Sequence, residues 1–561
     1  NCGITAEETE FHAGGEAHTL DTTALSAWLE TVSGISAFAV ASKFATRNPE
    51  HELRAMEIIR EATGAPVSAS HQLSAKLNGP KRALTALLNA RLIGMIDKLI
   101  VRAEDGLREL GINAPLMVVR GDGALISSAQ AREKPIETIL SGPAASIVGA
   151  QWMTGAQEAL VSDIGGTTTD IALLRGGRPK IDPDGARVGP YRTMVEAVAM
   201  RTSGLGGDSE VHFVTEGLQG GLTLGPRRVL PVSLIALDDP ELVISTMEAQ
   251  LRAPAPSEFD ARFIRRVEGV SHEGLSERDA SVLERVVGVV PLSKVVRTRI
   301  ETQSIRRLVE RGIVQVSGVT PSDASHVLGV ASVWNVQAAE MALMLFGRRR
   351  TGAGEMLAPV TEDMARIITD QLTEQTTLSL LETGFSEDEQ DFGLPPELLA
   401  RHVLTQRGLD HHQGLVRLEA GLNLPVVGLG ASAPTYYPAV GKRLHCEMIL
   451  PEHAGVANAI GAVVGRVTMR KEGTITSPSE GKYRVHLDAG PEDFGHADQA
   501  MQRLEDSLRD AANADARAAG ASDIQITVSR DVKRAEAEAR EVFVEATITV
   551  EASGRPRIAV G

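Results

Sequence analysis

One eight-residue stretch, DIGGTTTD from Asp163 to Asp170, limits the fold of this chain more than any other. An apolar strand, ALVSDIGG (159–166), runs into it and a second, DIALL (170–174), runs out. Gly165 and Gly166 carry no Cβ, so the backbone can approach an anion closely. Successive N–H groups in such a turn form an anion-binding concavity, and Thr167, Thr168 and Thr169 add hydroxyl donors. Asp163 and Asp170 would repel a phosphate unless a divalent cation lay beside it, since such cations take carboxylate and water oxygens and bridge phosphates. Asp163 is therefore the candidate metal ligand, and Asp163 and Asp170 are candidate catalytic residues. An ordinary hairpin with a Gly-Gly turn would require neither the two aspartates nor the three threonines. No Gly-Lys-Ser/Thr follows, so this is not a Walker loop, and nothing in the sequence marks nearby Lys180 as a ligand.

Two other glycine turns join it. In VVGLGASAP (426–434) a strand ends at Gly428, Gly428 and Gly430 turn the chain, and a helix starts near Ala433 with Pro434 in its first turn. A helix start after a glycine turn offers free N–H groups and partial positive charge. Gly428, Gly430 and Ala431 are thus candidate contacts for adenine or ribose. In RTSGLGGDSEV (201–211), the spacing predicts a ligand-facing loop leading into a helix capped by Asp208 or Ser209. Gly206 and Gly207 are its candidate nucleotide contacts, and Asp208 its candidate metal- or water-orienting carboxylate. ETILSGPAASIVGA (137–150) reads as a hinge helix capped by Ser141; no Gly-x-Ser-x-Gly elbow surrounds that serine. PEHAGVANAIGAVVG (451–465) reads as a small-residue helix suited to close packing, and Asp410-His411-His412 as a solvated loop.

The wider pattern alternates strands and helices. GISAFAVAS (34–42), PVSAS (66–70) and PLMVVRGDG (115–123) read as strands, and Gly79–Leu110 carries leucines at three- and four-residue spacing. This is an α/β signature. At ~150 residues per domain, 561 residues exceed one core. The expected division is 1–155, 156–470 with a helical insertion at about 255–345, and a small α+β domain at 471–561. Residues 276–329 look like a winged helix-turn-helix with Arg306, Arg307 and Arg311 on one helix, read as structural because the net charge is −16. That charge argues against a nucleic-acid-binding surface. Two cysteines, Cys2 and Cys446, make no disulfide framework, and no apolar run reaches the ~18–20 residues of a membrane helix. A cytoplasmic location and no membrane association are expected.

VRGDGALISSAQAREKPIETILSGPAASIVGA followed by VSDIGGTTTDIALL resembles the A subunit of the hydantoinase/oxoprolinase family. So do TRNPEHELRA (46–55), LNGPKRALTALLNARLI (77–93), RTSGLGGDSEV, VTPSDASHVLG (319–329) and PEHAGVANAIGAVVG. The resemblance implies the fold of actin, sugar kinases and heat-shock ATPases, in which two RNase H-like domains close over ATP. Asp163–Thr169 would then be the second-domain phosphate turn and Gly428–Ala431 the adenosine-side turn. Family members open with a similar Asp-x-Gly-Gly-Thr turn. None precedes Asp163 here, so about 100 residues of that pattern, less than a typical domain, are expected to be missing from the front.

The resemblance implies an enzyme that uses ATP, with magnesium or manganese, to phosphorylate the carbonyl of a cyclic amide of hydantoin or 5-oxoproline type. A B-type subunit would complete the ring-opening hydrolysis, within an oligomer. Two alternatives are the ATP-using subunit of an acetone- or acetophenone-type carboxylase and a non-catalytic ATP-driven switch.

Overall fold

The computed structural model describes residues 11–12, 15–16, 18–214, 221–479, 481–487, 490–537 and 540–556. Cys2, and Asp488 and Ala489 of the expected α+β domain at 471–561, lie outside the described residues. The chain is mixed α/β and divides into two compact units. The first comprises Asn1–Trp152, Arg178–Ala199 and Asn458–Gly561; the second comprises Met153–Gly177 and Met200–Ala457.

In the first unit, Phe38–Val40 and Val67–Ala69 form a parallel pair. Helix Glu50–Thr63 packs its apolar stripe, Ala55, Met56 and Ile59, against Phe38 and Val67. Helix Gly79–Glu109 starts at a Pro-containing first turn capped by Asn78. The expected third domain at 471–561 does not stand alone. Its strand Val467–Ser479 pairs antiparallel with Arg540–Pro556 and also, at Val467, with Leu125. Residues 117–127 therefore share a sheet with the C-terminal strands. Helix Ala497–Ala518 covers this sheet, with Leu504, Ala512 and Ala516 meeting Ile475, Ile548 and Val550.

His486 on this sheet gives a testable pH dependence. Burial pushes its imidazole down to about 4, helped by Arg47 and Arg484 and opposed by Asp493. The unfolded chain, near 6.5, binds the proton more readily than the folded one. Stability from this group is therefore complete above about 6.5 and falls as pH drops toward about 4. Denaturation midpoints measured across that window should fall on acidification, and His486→Gln should flatten the slope; an unchanged slope would contradict the assignment.

In the second unit five strands form the central sheet: β1 (Ala159–Ile164), β2 (Thr169–Arg175), β3 (Met200–Ser203), β4 (Val426–Leu429) and β5 (Met448–Ile449). Their order is β3-β2-β1-β4-β5. The first three are antiparallel neighbours and the last two run parallel to β1. The sheet is buried, hence the near-continuous apolar runs of β1 and β4. Leu160, Ile164, Ile171, Leu173 and Val426 join one core with Tyr436, Tyr437 and the helix Thr361–Glu387.

The expected helical insertion contains a sheet. Phe263–Arg266 lies between Val314–Gly318 and Val290–Pro291, both antiparallel to it, and Leu230–Pro231 pairs parallel on the far side. Helices Glu277–Glu284 and Glu301–Glu310 close a separate small core over this sheet through Val282, Leu283, Ile305 and Leu308. Arg307 binds Asp279 at 2.6 Å, and Arg311 donates to the carbonyls of Glu273 and Gly274. These two arginines hold the segment together. Among the described residues, no helix is long and apolar enough to cross a membrane.

Candidate functional site

The predicted turn sits at one end of the central sheet. β1 and β2 pair in register, Asp163 opposite Asp170 and Ile164 opposite Thr169, and the Gly165 N–H closes the turn onto the Thr168 carbonyl at 2.9 Å. Gly165, Gly166 and Thr167 are exposed. The N–H groups of Gly166, Thr167 and Thr168 meet no acceptor among the described residues. Adjacent unsatisfied donors on an exposed turn attract an anion.

The turn is held from behind. Gly207 N–H donates to the Gly165 carbonyl at 3.0 Å and Asp208 N–H to the Gly166 carbonyl at 2.8 Å. A Cβ on Gly206 would lie 2.6 Å from the carbonyl oxygens of Gly165 and Gly166, so only glycine allows this approach. Gly206 and Gly207 are buried and support the turn instead of facing a ligand. The expected helix after them is the strand Ser209–Val214. Thr169, wholly buried, donates its hydroxyl to the Leu205 carbonyl at 2.7 Å, so its donor is committed to the fold.

Asp170 accepts from Thr202 Oγ1 at 2.7 Å. Burial, and then the charge of Asp163, push its carboxyl above the usual range against hydrogen bonds from Thr202 and Thr168. Two neighbouring carboxylates at an exposed turn are a donor set that a divalent cation can use. Groups of three or more His, Cys, Asp or Glu able to hold a metal are absent among the described residues. The pair fits magnesium or manganese held by one or two carboxylates plus phosphate and water oxygens, and not an all-protein metal cage.

Asp208 has a different place from the one expected. It is buried and paired with Arg228, whose Nη2 and Nε lie 2.9 and 3.2 Å from Oδ2. Ser322 Oγ donates to its Oδ1 at 3.1 Å and to the Gly207 carbonyl at 2.9 Å. The point where a Gly166 Cβ would stand is 2.7 Å from Asp208 Oδ2 and 3.8 Å from Arg228 Nη2. A half-exposed guanidinium is thus fixed beside the open turn. Neither Arg228 nor Ser322 stands out as a site residue in the sequence. Ser322 stands in VTPSDASHVLG, whose Thr320 and Asp323 form a capping box; no short signal marks Arg228.

The third turn meets the first directly. β4 runs parallel to β1 with Leu429 opposite Asp163. Gly430, at φ +105°, lies so close that a Cβ would stand 2.1 Å from the Ile164 carbonyl oxygen. Helix Ala433–Leu444 follows, with Pro434 in its first turn, and Ala431 is exposed before it. Gly428 faces inward: a Cβ there would strike Tyr437 and Leu450 at 2.6 and 2.7 Å. Its smallness serves packing. Tyr437 then hydrogen-bonds Ser162 Oγ at 2.7 Å, bracing β1.

The sequence profile of the hydantoinase/oxoprolinase family matches residues 82–230, which include the whole first turn and Asp208–Arg228. Caprolactamase subunit alpha of Pseudomonas jessenii is 31% identical over 221 residues, 38% of this chain and 31% of that protein. Over residues 82–230 the chain resembles the hydantoinase/oxoprolinase family. The acetophenone carboxylase gamma subunit of Aromatoleum aromaticum is 29% identical over 211 residues, 35% of this chain and 27% of that one. 5-Oxoprolinase 1 of Arabidopsis thaliana is 27% identical over 206 residues, 35% of this chain and 15% of that one. The matches thus span about a third or less of these relatives' length. The crystal structure of the ATP-dependent caprolactamase from Pseudomonas jessenii superposes with a TM-score of 0.57 at 18% identity, over 98% of this chain and 69% of that one. Nucleotide-free acetone carboxylase gives 0.55 at 15% identity, over 97% and 68%. These two likenesses concern the fold.

Proposed function

We propose that the turn Asp163–Asp170 holds the phosphates of ATP and that the protein uses ATP to phosphorylate the carbonyl oxygen of a cyclic amide. The three unpaired N–H groups of the exposed turn, flanked by Asp163 and Asp170, carry this reading. Gly430 and Ala431 serve the adenosine side, in an actin- and sugar-kinase-type arrangement of RNase H-like domains. Asp163 holds magnesium or manganese, with Asp170 beside it. Asp208 acts through Arg228, which places positive charge next to the terminal phosphate.

Amide resonance makes the carbonyl carbon a poor electrophile. Phosphorylating its oxygen breaks that resonance and supplies a leaving group. The chain's part is positional and electrostatic: backbone donors and a guanidinium fixed before the reaction stabilise charge on the transferring group. Hydrolysis is completed with a B-type partner subunit, in keeping with relatives named as subunits. A ketone carboxylase subunit is the second reading, supported by the acetophenone and acetone carboxylase relatives; there the phosphorylated oxygen belongs to an enolate or bicarbonate.

ATP hydrolysis by the chain with its B-type partner, challenged with caprolactam, 5-oxoproline, hydantoins, and ketones plus bicarbonate, tests the proposal. Stimulation by a cyclic amide is expected. Stimulation only by ketone with bicarbonate would move the protein to the carboxylases, and none at all would overturn both readings in favour of an ATP-driven switch.

Arg228→Ala is expected to weaken ATP binding by roughly 10- to 100-fold, the range of one or two charge-assisted hydrogen bonds. Arg228→Lys should recover part of the loss. Unchanged affinity in a calorimetric titration would remove Arg228 from the site.

A further inference from the structure

Two of the family-like motifs, TRNPEHELRA and LNGPKRALTALLNARLI, take no part in the turn. Both lie in the first unit and meet around one carboxylate. Glu52, from the first motif, has no exposed surface. Its Oε1 accepts from Ser42 N–H at 2.7 Å and Ser70 Oγ at 2.6 Å; its Oε2 accepts from His71 N–H at 3.0 Å and lies 2.6 Å from His71 Nδ1. Arg82, from the second motif and 1% exposed, donates from Nε to Ser70 Oγ at 3.3 Å and from Nη2 to the Ser42 carbonyl at 2.8 Å. Burial pushes the Glu52 carboxyl up, but the hydrogen bonds from His71, Ser70 and Ser42 more than offset it, leaving it below its usual value.

An ionised carboxylate only accepts. The proton between Glu52 and His71 therefore resides on Nδ1, and in the neutral ring the other nitrogen, Nε2, is the acceptor. Nε2 meets no partner among the described residues, and the side chain is 16% exposed. Arg82 gives Glu52 a counter-ion of its own. A purely structural tie between the segments at 42 and 70 would be complete with Ser42 and Ser70; it would not require an imidazole held in one tautomer with its second nitrogen open. Carboxylate-oriented imidazoles of this kind serve as proton acceptors.

We infer that His71 is the base of a proton-transfer centre in the first unit, with Glu52 as its positioning residue. The molecule it acts on is a small carbonyl compound with a removable proton on the atom next to the carbonyl carbon: an amide N–H or a ketone C–H. That bond breaks and its proton moves to Nε2. The released pair forms a C=N or C=C bond to the carbonyl carbon, and the C=O π pair passes to oxygen, leaving an oxyanion and an imidazolium facing Glu52. The substrate class rests on the proposed function; the centre itself rests on the geometry around Glu52 and His71.

The test has two arms, both on the full chain. In protein labelled with nitrogen-15 at histidine, the His71 signals, assigned by their loss in His71→Gln, should show Nδ1 protonated and Nε2 unprotonated, and Glu52→Gln should disturb that pattern. An Nε2-protonated ring, or a pattern indifferent to Glu52→Gln, overturns the centre whatever the reaction proves to be. With the partner subunit and the stimulating compound, His71→Gln should lower kcat about 10²- to 10⁴-fold, the usual contribution of a positioned base, with the KM for ATP retained. Added imidazole should restore part of the rate to His71→Gly. Lactam and ketone arms identify which proton is removed. Full turnover by His71→Gln overturns the inference while leaving the ATP site standing; absence of stimulation in the wild-type chain sinks the proposed function and the substrate assignment with it, while the labelling arm still decides the centre.

Discussion

Asp163→Ala abolishes ATP-dependent turnover in a protein that still folds. The residue is next to last in β1, partly exposed and opposite Asp170, so truncation leaves no large cavity. It removes the carboxylate assigned to the cation beside the phosphates. Losing one preorganised electrostatic element costs about 10²- to 10³-fold in kcat, and losing the cation as well deepens that toward complete inactivity. The charge of Asp163 also raises the Asp170 carboxyl, so in the variant Asp170 should titrate lower. Turnover within tenfold of the wild type would refute the role given to this turn.

Asp323→Ala carries the largest expected stability loss. Asp323 is fully buried and gathers five donors: Val232 N–H at 3.2 Å, Ser233 N–H at 2.8 Å and Oγ at 2.6 Å, Thr320 N–H at 3.0 Å and Oγ1 at 2.9 Å. Alanine leaves three buried N–H groups without an acceptor. At ~1–3 kcal/mol for each orphaned donor, with some relaxation, the loss should be about 3–5 kcal/mol. Trp334, stacked on His326 at 5.1 Å, reports the second unit's unfolding by fluorescence. The effect reaches the site as well, because the capping box at Thr320–Asp323 presents Ser322 to Asp208 and Gly207. Asp323→Asn, which keeps one acceptor, should fall between. A loss below about 1 kcal/mol would mean that solvent or repacking satisfies these donors, contrary to the usual cost of a buried unpaired group.

The turn from Asp163 to Asp170 was legible because its chemistry is local: two apolar strands, two glycines and the flanking carboxylates lie in one short run. The strand–turn–helix at Val426–Leu444 was legible for the same reason. What escaped depends on distant partners. Asp208 looks like a free ligand in sequence, and only the fold brings Arg228 and Ser322 to it. Gly206 and Gly428 resemble ligand-facing glycines but make room for protein, Gly206 for the turn's own carbonyls and Gly428 for Tyr437. Thr169 reads like its two neighbours, yet strand alternation turns it inward. The C-terminal segment was read as a separate domain because nothing local announces that Val467 pairs with Leu125. The strand Phe263–Arg266 was lost among helices because it is short and half charged. Glu52 and His71 are equally silent: separated in sequence, they become a pair only when helix Glu50–Thr63 packs beside the end of strand Val67–Ala69.

The most direct test of the phosphate turn is the amide spectrum of the chain, labelled with nitrogen-15 at glycine and threonine, as ATP and magnesium are added. The N–H signals of Gly166, Thr167 and Thr168 should move in a saturable way, Gly165 should move less because its N–H is bonded to the Thr168 carbonyl, and Asp163→Ala should cancel the response. Saturable ATP binding that leaves these three amides unmoved would place the nucleotide elsewhere and contradict the assignment of Asp163–Asp170.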